Sequence, residues 1–158
     1  MMHFSEKEIK SRYQKIFNGE EKIRLSAGVA LINPDNEVLL ERRSDCGWWG
    51  ITGGALNKGE NILNCAKREI YEECGIEIQT NDLSFLNIYS DPEHGRILQY
   101  HDNRVYLIDF IFFIKGSFFD FKMSDESIEL KFFRFNNLPS LIVPPAKVPL
   151  KDLGNLFL

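Results

Sequence analysis

Residues 54–76 read GALNKGENILNCAKREIYEECGI, and the rest of the chain is interpreted around this stretch. Glu69, Glu72 and Glu73 stand at positions i, i+3 and i+4, so on a helix they share about 100° of one face. Like charges at this spacing repel each other. A divalent cation relieves such repulsion, because hard cations such as Mg²⁺ bind carboxylate oxygens. The stretch therefore predicts a helix with an acidic, metal-binding face.

The flanking residues predict where this helix begins and ends. Asn61 is suited to cap its N-terminus, and Gly75 is suited to the left-handed residue that ends a helix. Gly53, Gly54 and Gly59 give the approach the flexibility of a loop. Apolar residues at helical spacing predict a buried face beside the acidic one: Leu63, Ala66, Ile70 and Cys74.

The stretch resembles the Nudix box, the pattern G-x5-E-x7-R-E-U-x-E-E-x-G-U in which U is apolar. Every fixed position matches, namely Gly54, Glu60, Arg68, Glu69, Ile70, Glu72, Glu73, Gly75 and Ile76. The resemblance covers roughly residues 23–142. It implies an α/β fold, an α/β/α sandwich around a mixed β-sheet. It also implies hydrolysis of a diphosphate linked to another group.

The resemblance gives a role to each charged residue of the acidic face. Glu72 and Glu73 resemble metal ligands. Glu69 resembles either a ligand or the base that activates water, and both readings stay open. Arg68 can reach Glu72 at i, i+4, so it is expected to hold the carboxylates in place.

Further metal-binding groups are expected on either side of this helix. The resemblance implies that the Gly53 carbonyl binds the metal and that Glu60 contributes through water or by orienting a cation. Glu126, or alternatively Glu129, resembles the extra glutamate that many family members supply from outside the box. Thr52 stands where the family commonly has proline, so the approach loses the fixed φ of that residue.

Substrate recognition is expected outside the box. Residues 91–104 (DPEHGRILQYHDNR) are polar and irregular, and they predict a loop that contains Arg96, Tyr100 and His101. Arg42 and Arg43 end a strand, and one of them, with Arg42 preferred, is expected to face phosphate. Other candidates for the pocket are Trp48, Trp49 and the segment 118–121.

These residues favour a metal-dependent pyrophosphohydrolase that uses Mg²⁺ or Mn²⁺. A nucleoside diphosphate derivative such as ADP-ribose is the preferred small-molecule substrate. The alternatives are a nucleoside triphosphate or dinucleoside polyphosphate as substrate, or a nucleotide sensor without turnover. A protein that only mediates interactions, with the box kept for structure, is a third class.

The composition supports a single domain over residues 1–158, with 44% hydrophobic and 27% charged residues. The net charge of −4 makes nucleic acid an unfavoured partner. Three cysteines without zinc spacing suggest reduced thiols and a cytoplasmic setting. No apolar run reaches the roughly 20 residues that span a bilayer, so no membrane association is expected.

The remaining elements are predicted from local patterns. Residues 1–20 form an N-terminal extension with a helix over about 6–17. A capping box of Ser5 and Glu8 starts this helix. The helix either packs on the domain or forms a homodimer contact. Residues 143–158 form a C-terminal segment with a weak helix over about 150–156. Strands are predicted over about 23–33, 38–43, 76–78, 83–89, 105–115, 117–122 and 129–135, and a short helix is predicted over 136–141.

Overall fold

The computed structural model describes residues 2–100 and 102–158. His101, one of the residues expected in the 91–104 segment, lies outside the described residues. The helices are α1 (Glu6–Arg12), α2 (Ile62–Cys74) and α3 (Pro144–Phe157). The strands are β1 (Tyr13–Gln14), β2 (Lys22–Ile32), β3 (Glu37–Arg43), β4 (Trp49–Gly50), β5 (Thr52–Ala55), β6 (Ser84–Tyr89), β7 (Ile97–Tyr100), β8 (Asn103–Lys115) and β9 (Ser127–Arg134).

The strands form one mixed sheet, in which the long strands β2 and β8 run parallel at the centre. One apolar cluster joins the sheet to α2, and a second cluster joins it to α1 and α3. The predicted α/β architecture with a mixed sheet between helices is confirmed. Within the described residues, no helix is both long and apolar enough to cross a membrane.

Helix α2 begins and ends where the sequence predicts. The Asn61 side chain accepts a hydrogen bond from the Asn64 N–H, and Gly75 ends the helix with a φ of +72°. The predicted apolar face is wrong at one position, because Leu63 is 40% exposed. Cys65, two residues later in the helix, is buried instead.

The N-terminal helix is shorter than predicted. The capping box of Ser5 and Glu8 is present, but α1 ends at Arg12 and gives way to β1. Tyr13 pairs with Leu98 of β7, and both side chains are buried. Pairing with the sheet therefore overrides the helical pattern of the following residues. Ile9 is only 3% exposed, so α1 packs on the domain.

The prediction of a loop over residues 91–104 is wrong for residues 97–100 and 103–104, which are in strands. Pro92–His94 forms a 3₁₀ turn, and residues 97–100 form β7, an antiparallel partner of β8. Ile97 and Leu98 are buried, and this apolar pair within a polar segment explains the strand.

Other predicted elements are also corrected. Residues 76–78 and 117–122 are not strands, and residues 136–141 do not form a helix. The C-terminal helix begins at Pro144, earlier than predicted, because Pro144 and Pro145 occupy its first turn. Proline suits that position, since the first N–H groups of a helix have no partner within it.

Candidate active site

A cleft of about 220 Å³ opens over the part of the sheet where β5, β2 and β8 lie side by side. Gly53 and Gly54, at the approach to α2, form one part of its wall. Arg43, Asp109 and Glu126 line other parts. A wider groove of about 780 Å³ adjoins it and shares Arg24, Ala55 and Tyr100 with the cleft.

Arg68 connects the box helix to the loop that precedes it. Its Nε and Nη2 atoms donate to the two oxygens of Glu60 at 2.7 and 2.9 Å. Its Nη1 atom donates to Glu69 at 2.7 Å and to Glu72 at 3.2 Å, and Nη2 also reaches the Ala55 carbonyl at 3.0 Å. The structure therefore places Arg68 where the sequence expects it, among the carboxylates.

Glu60 is engaged by Arg68 through both carboxylate oxygens. These hydrogen bonds lower the pKa of Glu60 to about 2. Glu60, which is expected to help bind metal, therefore forms an ion pair that holds Arg68 in place.

The Glu69 carboxylate fits into space left by Gly54. A β-carbon on Gly54 would overlap the carboxyl atoms of Glu69. Glu69 is 9% exposed, and burial raises the pKa of its carboxyl group. Gly54, the first residue of the box, therefore leaves the space that the Glu69 carboxylate occupies.

A second buried acid, Glu41 of β3, lies beside Glu73. Each of the two residues is 2% exposed. The Ser127 hydroxyl donates to Glu41 at 2.7 Å, and the Gly53 N–H donates to Glu73 at 3.3 Å. Burial and the neighbouring Glu41 carboxyl raise the pKa of Glu73. Glu41 was not predicted as a site residue, although an acid that follows Val38-Leu39-Leu40 in a strand was a usable signal.

The other two predicted acids are exposed. The Glu72 side chain is 55% exposed and contacts Arg68. Glu126 is exposed and lines the cleft. Burial is the main cause that raises the pKa values of Glu41 and Glu69, and the charge of Glu126 adds to it. Glu129, the alternative to Glu126, is exposed on β9 opposite Arg42.

The acids that contact Gly53 and Gly54, beside the cleft, suit a hard divalent cation. Oε2 of Glu73 is buried without a hydrogen-bond partner among the described residues. A buried carboxylate oxygen left in this way is costly unless a cation or a proton satisfies it. No three acidic, His or Cys side chains within residues 2–100 and 102–158 form a complete metal-binding group by themselves. Oε2 of Glu73 and the adjacent Glu41 carboxyl group are nevertheless suitable ligands for the cation that the acidic face predicts.

Two of the residues expected to contact substrate do not face the cleft. The Trp48 ring is 5% exposed and its Nε1 atom donates to the Phe4 carbonyl at 2.7 Å, so it belongs to the core. Arg42 donates from Nε to the Gly47 carbonyl at 3.0 Å. Successive residues of a strand point to opposite faces, and it is Arg43 that lines the cleft.

The other two expected substrate contacts have different outcomes. Arg96 is completely buried and forms an ion pair with Asp109, so it does not present its charge to a ligand. Tyr100 lines both the cleft and the adjoining groove. The residue of this ion pair that lines the cleft is Asp109, which was not predicted from the sequence, and not Arg96.

Thr52, at the position where proline is common, is part of β5. Its backbone pairs with Val29 of β2, and its hydroxyl donates to the Val29 carbonyl at 2.8 Å. Strand pairing thus makes the approach to the box rigid at Thr52 without the fixed φ of a proline.

Gly54→Ala should lower kcat by about 100-fold while the protein stays folded, because the new β-carbon displaces the Glu69 carboxylate by the order of 1 Å. Gly53→Ala is the informative comparison, since its β-carbon would meet the backbone of Ala27 and Gly28 and should lower the melting temperature. Steady-state kinetics and thermal unfolding of both variants distinguish the two effects. Wild-type kcat in Gly54→Ala would contradict the fit described here.

The fold, together with the carboxylates that Arg68 holds beside the cleft, defines one class of protein. The chain belongs to the Nudix family, since the NUDIX domain model matches residues 22–153. It is therefore a Nudix hydrolase, and the family predicted from residues 54–76 is confirmed.

Particular relatives extend this similarity over nearly the whole chain. An ADP-ribose pyrophosphatase of Methanocaldococcus jannaschii is 31% identical, with 94% of this chain and 83% of the relative covered. A putative 8-oxo-dGTP diphosphatase of Bacillus subtilis is 29% identical over 82% of this chain and 78% of the relative. The crystal structure of a MutT NUDIX hydrolase from Burkholderia pseudomallei superposes with a TM-score of 0.69 at 20% identity, covering 84% of this chain and 98% of that one.

Proposed function

We propose that this protein is a metal-dependent pyrophosphohydrolase that cleaves a nucleoside diphosphate linked to a sugar, with ADP-ribose as the representative substrate. The observation that carries the proposal is the paired burial of Glu41 and Glu73 beside Gly53, with one Glu73 oxygen unpartnered. The similarity to an ADP-ribose pyrophosphatase over 94% of the chain supports the choice of substrate class.

The residues that hold the cation in this proposal are Glu69 and Glu73, with Glu72, Glu126 and the Gly53 carbonyl as further candidates. Mg²⁺ is the preferred ion, and Mn²⁺ has the same hard-ligand chemistry. When bound, such a cation neutralises charge on the phosphates and makes a bound water easier to deprotonate. Glu41, missed from the sequence, is proposed to hold Glu73 in position from β3.

The chain's own residues position the reaction. Arg68 fixes Glu69 through a 2.7 Å hydrogen bond, which leaves the other oxygen of Glu69 available either to the cation or to a water that it orients or deprotonates. Arg43 lines the cleft, and its Nε and Nη2 atoms donate to Asp45 at 3.0 Å. Its Nη1 atom is then the one suited to bind a phosphate oxygen. Water then attacks phosphorus, the bond to the bridging oxygen breaks, and ADP-ribose yields AMP and ribose 5-phosphate.

A nucleoside triphosphate pyrophosphohydrolase is the second candidate function. The similarity to a putative 8-oxo-dGTP diphosphatase over 82% of the chain favours keeping it. A nucleotide sensor is less compatible with the site, because Glu69, Glu72 and Glu73 are all present. A reducing cytoplasmic setting and a homodimer remain predictions from the sequence.

Product release from a panel of nucleotides separates these functions. We expect the wild-type protein to release AMP from ADP-ribose faster than it releases AMP from ATP. Activity should be lost after metal removal with EDTA and restored by Mg²⁺ or Mn²⁺, because the buried carboxylates need a counter-cation to bind a diphosphate. Binding without products would indicate a sensor, and full turnover of stripped protein in excess EDTA would contradict the metal-dependent mechanism.

A further inference from the structure

Asp109 lies on the floor of the cleft, two strands away from the start of the Nudix box. In the sheet, Asp109 of β8 is paired with Ser26 of β2, and Ser26 is paired with Ala55 of β5. Because neighbouring strands are about 4.8 Å apart, the Cα atoms of Asp109 and Ala55 are separated by about 10 Å. This separation suits a group attached to a diphosphate that is bound at the box.

Two hydrogen bonds from the protein hold the Asp109 carboxylate in one orientation. The Ser26 hydroxyl donates to Oδ1, and Nη1 of Arg96 donates to Oδ2. Arg96 is completely buried, whereas 13% of the Asp109 side chain is exposed. The carboxylate therefore lies between the buried cation and the cleft, and a ligand meets its negative side.

Arg96 is itself fixed by α3. Pro149 has no N–H and cannot bond to the carbonyl of Pro145 one turn earlier in that helix. Nη2 of Arg96 donates to this free carbonyl at 2.8 Å. The Tyr89 ring lies 5.5 Å from the guanidinium carbon on another side. The support of Asp109 is thus rigid and extends into the core.

The sizes of the two spaces indicate which part of the substrate meets Asp109. The inner cleft is about 220 Å³, and the adjoining groove is about 780 Å³. A sugar suits the smaller space, and a nucleoside suits the larger one, with the Tyr100 ring at the junction as a surface for stacking. Asp109 then faces the sugar on the far side of the diphosphate from the nucleoside.

We propose that Asp109 determines substrate specificity by accepting a hydrogen bond from a hydroxyl of that sugar. The same carboxylate repels a further phosphate in this place, so it disfavours nucleoside triphosphates. This inference rests on the proposed function, because it names the group that the same cleft selects. Arg96 and Ser26 are positioning residues for Asp109.

Asp109→Asn tests the proposal, since asparagine keeps the size of the side chain and its acceptor for Ser26 while removing the charge. We expect the ratio of kcat/KM for ADP-ribose to kcat/KM for ATP to fall by about tenfold to hundredfold. Asp82→Asn, which changes an exposed aspartate remote from the cleft lining, is the control and should keep the wild-type ratio. An unchanged ratio in folded Asp109→Asn would overturn the proposal.

A second measurement uses the wild-type protein and does not depend on the variant folding. The propyl ester of ADP carries no sugar hydroxyl beyond the diphosphate, so its kcat/KM should be about tenfold to hundredfold below that of ADP-ribose. Equal values for the two compounds would overturn the role of Asp109. Absence of hydrolysis with every diphosphate compound would instead contradict the proposed function itself.

Discussion

Glu73→Gln should lower kcat/KM for ADP-ribose by more than about 100-fold, since even the residues that support metal ligands commonly contribute 10- to 100-fold. The fold should survive, because the glutamine oxygen can still accept from the Gly53 N–H, which lies 3.3 Å from Glu73 in the structure. The glutamine amide can also donate to Glu41. Burial and Glu41 raise the pKa of Glu73, so the residue carries a proton in metal-free buffer and the glutamine amide replaces that donor. The melting temperature in metal-free buffer should therefore be unchanged or slightly raised.

Glu77→Gln is the matched control for this substitution. Glu77 is exposed and lies just beyond the end of α2, so its replacement should change neither the rate nor the melting temperature. Rates are compared at saturating Mg²⁺, and unfolding is followed with chelator present. A Glu73→Gln protein that hydrolyses normally, or that is unfolded without metal, would assign Glu73 to a structural role.

Arg96→Met should lower the free energy of unfolding by about 3–5 kcal/mol, the usual cost of removing one partner from a buried ion pair. The variant leaves Asp109 without its cation and leaves the Pro145 carbonyl without a donor. Urea unfolding gives the loss as a shift of the transition midpoint. The sequence placed Arg96 in a substrate loop, where the same substitution would have changed only catalysis.

Arg134→Met provides the comparison for Arg96→Met. Its side chain is 76% exposed, and its Nε atom lies 3.8 Å from Glu37, so the loss should stay below about 1 kcal/mol. The double variant Arg96→Met/Asp109→Leu should recover part of the stability, because it leaves no unpaired buried charge. Equal stability of Arg96→Met and wild type would show that Arg96 is not needed to compensate Asp109.

The box helix could be predicted because its signals are local. A capping asparagine, a left-handed glycine and an acidic face all fall within residues 61–75, and none depends on a distant part of the chain. The same applies to β2, β3 and β8, whose apolar runs are long enough to identify central strands. The family pattern then connected these elements into the correct fold.

The predictions that were wrong or missing concern residues whose role depends on contacts between distant segments of the chain. Glu41 becomes a site residue only because the fold brings its side chain beside Glu73, and one acid in a strand does not reveal its partner 32 positions later. The polar composition of residues 91–104 as a whole predicts a surface position for Arg96, although Ile97 and Leu98 follow it directly. Asp109 and the Pro145 carbonyl, which bury it, come from β8 and α3.

Tyr100 and Arg42 show how strand geometry limits inference about a pocket. Tyr100 was selected for its place in a polar segment, and it lines the cleft from the end of β7. Arg42 and Arg43 have identical side chains, and the sequence could not decide which one faces the ligand. The alternation of side chains along β3, together with the irregular pairing after Arg42, decides in favour of Arg43.

Hydrolysis of ADP-ribose in H₂¹⁸O tests the central claim most directly, namely that water attacks a diphosphate phosphorus in this carboxylate cleft. Protein stripped with EDTA is compared with the same protein supplied with Mg²⁺, and the products are analysed by mass. The account predicts turnover only with Mg²⁺, with one ¹⁸O in the phosphate of AMP or of ribose 5-phosphate. Label on a ribose carbon, or equal turnover in excess EDTA, would contradict it.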